Sequence, residues 1–171
     1  QPLEDGHVTI SRVAATLSYP ARVTLLCSMN PCPCGYAGDR RRVCRCTVGQ
    51  IERYQGRISG PLLDRMDLFV DVPCLTRQEL REERQAEESR FVRERVSGAR
   101  ELQESRQGFP NSALSGRRLR EVCALKGDAE TLFSRAVDRM GLSGRGHDRV
   151  LRVARTVADL SGEEDIAAEH V

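Results

Sequence analysis

The spacing of apolar positions changes along this chain, and each change marks an element. In residues 4–12, EDGHVTISR, Val8 and Ile10 alternate with polar residues. Asp5-Gly6 is a hairpin-turn dipeptide, so the segment reads as a turn feeding a short strand. Residues 22–28, RVTLLCS, form a near-continuous β-prone run, the pattern of a strand covered on both faces. A helix is expected over 48–58, with Ile51, Tyr54 and Ile58 on one side and Arg53 and Arg57 on the other; Ser59-Gly60-Pro61 ends it. LLDRMDLFVDVP then predicts a second apolar strand at about 68–72, stopped by Pro73.

From Thr76 to about Arg106 the chain is dense in Glu and Arg. Leu80, Phe91/Val92, Val96, Ala99 and Leu102 recur sparsely, the latter set at helical spacing. One long connecting helix is expected, bent at Ser97-Gly98, its charges forming a solvated face. Gly108-Phe109-Pro110-Asn111 marks a boundary. Three helices are expected beyond it: 115–126 with Leu119, Val122 and Cys123 and a stop at Gly127; 128–140 with Asp128 as N-cap and Leu132, Phe133, Ala136, Val137 and Met140 as its stripe; and 144–160, capped by Ser143, with Val150/Leu151, Ala154 and Val157/Ala158 inward. Glu163 to Val171 reads as the first turns of a further helix. The pattern gives three regions: 1–75 mixed α/β, 76–110 a charged connector, and 111–171 a helical bundle.

Composition adds limits. The 171 residues are 39% apolar and 30% charged, with 27 basic against 25 acidic side chains. So balanced a charge says nothing of partners, but residues 39–57 hold six Arg against Asp39 and Glu52, a local patch able to meet a polyanion. No run approaches the roughly 20 apolar residues of a membrane span. The opening Gln1-Pro2-Leu3-Glu4-Asp5 lacks a start Met and a signal peptide, so the chain reads as a fragment of a longer cytoplasmic protein. Its seven cysteines, odd in number and partly clustered, suit metal binding in a reducing compartment better than disulfides.

Candidate chemistry gathers between Cys27 and Asp67. Cys32-X-Cys34 and Cys44-X-Cys46 supply four thiolates, enough to close a tetrahedral zinc site around a Gly-rich loop; free thiols in a mobile loop are the alternative. Cys27, Cys74 and Cys123 sit in apolar surroundings and are expected to be buried small hydrophobes. Arg40, Arg41, Arg42 and Arg45 lie within the loop and can clamp phosphate oxygens, as DNA contact requires, or form an ordinary solvated basic surface. Asn30 ends the first apolar run, where ligands sit in open α/β sheets, or simply starts the turn before Pro31. Arg65 sits on a short helical turn, available to a phosphate or to Asp64 or Asp67. Arg145 lies in the first turn of a helix, where a cation opposes the helix dipole, a hint that an anion recruits it.

The strings PLEDGHVTISR, MNPCPCG, CRC, QIERYQGRISGPLLDRMDL and LSGRGHDRVLRVARTVADL closely resemble the ComM/YifB group of magnesium-chelatase-like AAA+ ATPases. The resemblance implies the C-terminal portion of an αβα nucleotide-binding core (presensor hairpin, sensor-1 strand, one further strand) followed by an all-α lid. It implies ATP-driven DNA branch migration by a hexameric ring during natural transformation. Asn30 matches the sensor-1 position that orients the attacking water. Arg65 matches the arginine finger reaching a neighbouring subunit's ATP, and Arg145 the sensor-2 arginine contacting the terminal phosphate in cis. The hairpin at Glu4–Arg12 matches the presensor insert facing the central channel. Gly144 and Gly146 flank Arg145 where the family more often has alanine and an aromatic, which weakens that helix start. No G-X4-G-K-[ST] loop occurs in this sequence, and no strand ends in paired acids to hold Mg²⁺, so ATP with Mg²⁺ is expected to be held mainly by upstream residues, and this chain alone to be inactive. The competing functions are a non-enzymatic zinc-stabilised DNA-binding module and a magnesium-chelatase motor subunit.

Overall fold

Strand pairing opens the chain. The computed structural model describes residues 6–12, 15–39, 41–75, 77, 79, 81 and 87–171. It divides into two compact units, 1–66 with 71–74 and 67–70 with 75–171. In the first, β1 (His7–Arg12) pairs antiparallel with β2 (Ala15–Pro20). Side chains alternate along a strand, so the register gathers Val8, Ile10, Leu17 and Tyr19 on one face and Thr9, Ser11, Thr16 and Ser18 on the other. The chain therefore reverses between Arg12 and Ala15, not at Asp5-Gly6. Gly6, at the open end with φ 65°, accepts from the Ala21 amide at 2.8 Å; Glu4 and Asp5 lie outside the described residues. The strand pattern simply continues in ATLSYP, and Pro20 is tolerated because it closes an edge.

The strands expected at 22–28 and 68–72 do not form. Neither run has a ladder partner among the described residues, and β-propensity supplies no hydrogen bonds of its own. Their apolar side chains stay exposed: Leu26 is 93% accessible and Val72 86%. Cys27 and Cys74 are exposed for the same reason, against the expectation of burial, while Cys123 is buried. Helix α1 (Val48–Gln55) starts on a capping box that the sequence reading missed. Gln50 donates its amide to Thr47 Oγ1 and accepts the Thr47 amide at 2.9 Å, and Gly56 ends the helix before Ile58. A single turn, α2 (Gly60–Leu63), follows.

The second unit is helical: α3 (Ser89–Gln107), α4 (Gly116–Val122), α5 (Gly127–Met140) and α6 (Gly144–Ser161), with 3₁₀ turns at Asn111–Ala113 and Ala168–His170. Helix α3 starts later than expected and runs on through Ser97-Gly98; Leu80 lies outside the described residues. Helix α4 ends at Cys123, and Gly127 opens α5 instead of closing α4. The N-cap of α5 is Lys126; Asp128 and Glu130 occupy its first turn, where they favour the helix dipole. The tail does not continue as a helix: Ile166 makes a parallel bridge to Leu125.

Helix α6 is the centre, packing on α3, α4 and both 3₁₀ turns. Leu114, Leu119, Cys123, Phe133, Leu151, Ala154, Ala158 and Ile166 make the core. Burial pushes the Cys123 thiol up to about 11. Ala154 is fully enclosed, so Ala154→Leu overpacks the α6 seam and should cost about 1–3 kcal/mol. A lowered urea midpoint at unchanged slope would show it.

A buried polar network crosses this core. Arg106 reaches from α3 to Asp159 on α6 with both terminal nitrogens, at 2.7 and 2.9 Å. Asn111 donates to Asp159 at 2.7 Å and to Thr156 at 3.0 Å. Arg155 donates to Asp159 at 3.0 Å and to the carbonyls of Glu163 and Glu164. Every member found has a partner, as burial of charge demands.

Candidate functional site

Two prolines and two glycines fold the cysteine loop back on itself. Gly35 and Gly38 have φ of 83° and 81°, a region that favours glycine, and the Gly35 amide closes a turn on the Cys32 carbonyl at 3.0 Å. The Sγ atoms of Cys32, Cys34, Cys44 and Cys46 all lie within 4.8 Å of one another. Cys32–Cys34 is 3.3 Å, Cys34–Cys44 3.6 Å and Cys32–Cys44 3.7 Å. Zinc at about 2.3 Å from each sulfur of a tetrahedron places the sulfurs about 3.8 Å apart, so the donor set fits that ion.

The Ala37 amide donates to Cys32 Sγ at 3.3 Å, favouring a thiolate there. Cys34 is drawn down to about 6 by the backbone amides of Tyr36 and Arg45. At Cys46 the Cys34 amide favours ionisation, but the Cys34 sulfur, burial and the remaining sulfurs outweigh it and push the thiol up to about 12. Four crowded thiols without a cation cannot all ionise; a divalent ion removes that conflict.

The basic residues stand on the outer side of this loop. Arg41, Arg42 and Arg45 are exposed; Arg40 lies outside the described residues. Asp39 accepts the amides of Arg41 and Arg42, at 2.7 and 3.4 Å, and these with nearby Arg41 hold its carboxyl below the usual carboxylate range despite partial burial. The sequence reading missed the pairing of Tyr36 with Arg42, six residues apart; the aromatic followed by an arginine cluster was the available signal.

The nucleotide-contact candidates lie on different elements. Asn30 is exposed at the end of the irregular segment 21–30, one residue before the turn at Pro31. Arg65 follows α2 and folds back along it, donating to the Pro61 carbonyl at 2.6 Å. Both belong to the first unit and Arg145 to the second. Arg145 is exposed in the first turn of α6. Despite its glycines that turn is well made: Ser143 accepts the Gly146 amide at 3.0 Å, and a Cβ on Gly146 would lie 3.4 Å from Ser143 Oγ, so a small residue fits there. The ring of His147 packs on Phe133 with centroids 4.9 Å apart, pinning the same turn.

A second cluster, Glu163, Glu169 and His170, has its ligand atoms equally close. It does not read as a metal site. The Ala167 amide donates to His170 Nδ1 at 2.9 Å, so the neutral ring carries its proton on Nε2 and has no lone pair facing the carboxylates.

Family comparisons agree on what these features belong to. The profile described as "Magnesium chelatase, subunit ChlI" matches residues 1–80, and "Magnesium chelatase, subunit ChlI C-terminal" matches residues 86–171. The chain belongs to this magnesium-chelatase family. It is 40% identical over its whole length to "Competence protein ComM" of Haemophilus influenzae, covering 33% of that protein. It is 38% identical to "Uncharacterized protein YifB" of Escherichia coli, covering 34% of it. It is also 40% identical over 99% of its length to "Uncharacterized protein Rv2897c" of Mycobacterium tuberculosis. The chain thus spans about a third of the length of the curated relatives it matches. No helix among the described residues is long and apolar enough to cross a membrane.

Proposed function

We propose that this chain is the sensor-and-lid part of a cytoplasmic AAA+ ATPase that remodels branched DNA, as a hexameric ring. The observation that carries the reading is the whole-chain likeness to a protein named for competence. In this reading residues 1–75 are the end of the αβα core, 76–110 a connector and 111–171 the lid. Mg²⁺–ATP is held mainly by a phosphate loop and acidic pair elsewhere in the assembly. Bound there, the metal neutralises charge on the transferring phosphoryl group.

This chain's own residues act on that group. Asn30 orients the attacking water. Arg65, carried on the turn after α2, reaches a neighbour's ATP as the arginine finger; this requires it to release the Pro61 carbonyl. Arg145 contacts the terminal phosphate in cis from the start of α6, an anion that offsets its cost beside the helix dipole. The β1–β2 hairpin lies toward the ring's channel. Zinc held by Cys32, Cys34, Cys44 and Cys46 fixes the loop that presents Arg40, Arg41, Arg42 and Arg45 to DNA phosphates.

The experiment is strand exchange on a labelled four-way DNA junction by the full-length protein. ATP-dependent movement, absent with a non-hydrolysable analogue, is expected. DNA-independent turnover with no junction movement overturns the reading. The close packing of the four sulfurs is equally compatible with a second reading, in which the loop is a zinc-stabilised DNA-binding module without enzymatic work. Both readings expect about one zinc per chain, the stoichiometry of a four-cysteine site. Elemental mass spectrometry checks it, and Cys32→Ser with Cys44→Ser should abolish tight retention through dialysis against a chelator. Full retention by that variant removes these sulfurs from the ligand set.

A further inference from the structure

The cysteine loop carries a feature that phosphate binding alone does not use. Tyr36 is half-buried between Gly35 and Ala37 and meets an arginine. The Arg42 guanidinium lies over the Tyr36 ring, 5.1 Å from its centroid, and donates from Nη1 to the phenol oxygen at 2.6 Å. The two planar groups are therefore locked together at the surface. Local contacts flank them: the four clustered sulfurs on one side, and Asp39, which accepts the amides of Arg41 and Arg42. Beside this pair Val43 stands 88% exposed. A Cβ on Gly35 or on Gly38 would meet nothing within 4 Å among the described residues, so the backbone beside Tyr36 is not crowded.

An aromatic ring with a guanidinium across it, an exposed aliphatic neighbour and flanking cations is the equipment of single-strand recognition. Stacking on an aromatic needs a base that has left its duplex, whereas phosphate contact does not. We propose that the cysteine loop binds single-stranded DNA, with one unpaired base stacked at Tyr36–Arg42 and packed against Val43 while Arg41 and Arg45 meet the neighbouring phosphates. This rests on the DNA reading of the loop above and specifies its ligand: unpaired strand, such as a branch point exposes, in preference to duplex.

The test uses the whole chain with zinc added, and two fluorescent probes of equal phosphate count: an oligo-dT of about 15 nucleotides and a duplex. Wild type is expected to bind the oligo-dT more tightly. Tyr36→Leu should weaken oligo-dT binding about tenfold or more, in line with the loss of one base stack, and leave duplex binding and its salt slope unchanged. Tyr36→Phe should retain most of the preference. Arg41→Ala should weaken both probes and flatten both salt slopes between about 50 and about 200 mM. Zinc content and thermal melting of each variant separate lost binding from lost folding. Independently, a 5-bromouracil oligonucleotide irradiated with wild type should cross-link at Tyr36. Equal weakening of both probes by Tyr36→Leu, no weakening, or cross-linking confined to other residues overturns the inference while leaving phosphate binding intact. If neither probe binds in a salt-dependent way, the DNA reading of the loop itself fails.

Discussion

Replacing Asp159 with alanine should destabilise the helical unit by about 3–5 kcal/mol, the usual cost of removing one partner from a buried charge cluster. Its side chain is 1% exposed. It takes both terminal nitrogens of Arg106, the amide of Asn111 and the Nε of Arg155. Without it Arg155, itself 3% exposed in its side chain, keeps two carbonyl partners but loses its countercharge. Asn111 and Arg106 lose the anion that joins α3 to α6. Urea unfolding of the 171-residue chain reads the effect as a shifted midpoint at constant slope. A change under about 1 kcal/mol would contradict this account of the core.

Acid tests the same group. Burial opposes ionisation of Asp159, but Arg106, Asn111 and Arg155 outweigh it and hold the carboxyl below its ordinary range. The folded value lies below the unfolded one of about 3.9, so its stabilisation is complete above about pH 4 and is lost as pH falls through the lower, folded value. Wild type should lose stability in that window, and Asp159→Asn should show a shallower loss there. Identical acid profiles for the two chains would remove Asp159 from this role.

The second large effect belongs to Arg65. On the proposed function, Arg65→Ala in the full-length protein should slow ATP turnover by about 10³–10⁵, the range that arginine fingers supply. Nucleotide affinity should stay within a few-fold, because the finger acts on charge that develops in the transition state. Arg65→Lys should not rescue, since a point ammonium lacks the planar fork. Turnover near wild type would take Arg65 out of the mechanism.

What the sequence disclosed follows from how local each signal is. Helices α5 and α6 are legible through apolar residues at helical spacing and Ser143 through its place before a helical run, all short-range signals; which stripe residues are buried was not, for Phe133, Leu151, Ala154 and Ala158 enter the core while Leu132, Met140 and Val157 stay exposed. The clustering of the four cysteines was legible because two Cys-X-Cys pairs on one Gly-rich loop need only that loop to fold back to bring their sulfurs together. The runs at 22–28 and 68–72 were misread because strand formation depends on a neighbour that local composition does not provide. The hairpin was displaced because Asp5-Gly6 satisfied a turn rule while the longer alternating register decided where the chain reverses. Arg106 and Asp159 stand 53 residues apart, and nothing near either announces the other. Tyr36 with Arg42 hid inside a charge cluster that reads equally well as solvated surface.

The account turns on whether Arg65 and Arg145 serve a nucleotide held chiefly by other residues. A structure of the full-length assembly bound to Mg²⁺–ADP and a phosphoryl transition-state mimic tests this most directly. The account predicts Arg145 from one subunit and Arg65 from its neighbour each within about 3 Å of the mimic's oxygens. Both guanidinium groups turned away from every bound nucleotide would contradict it.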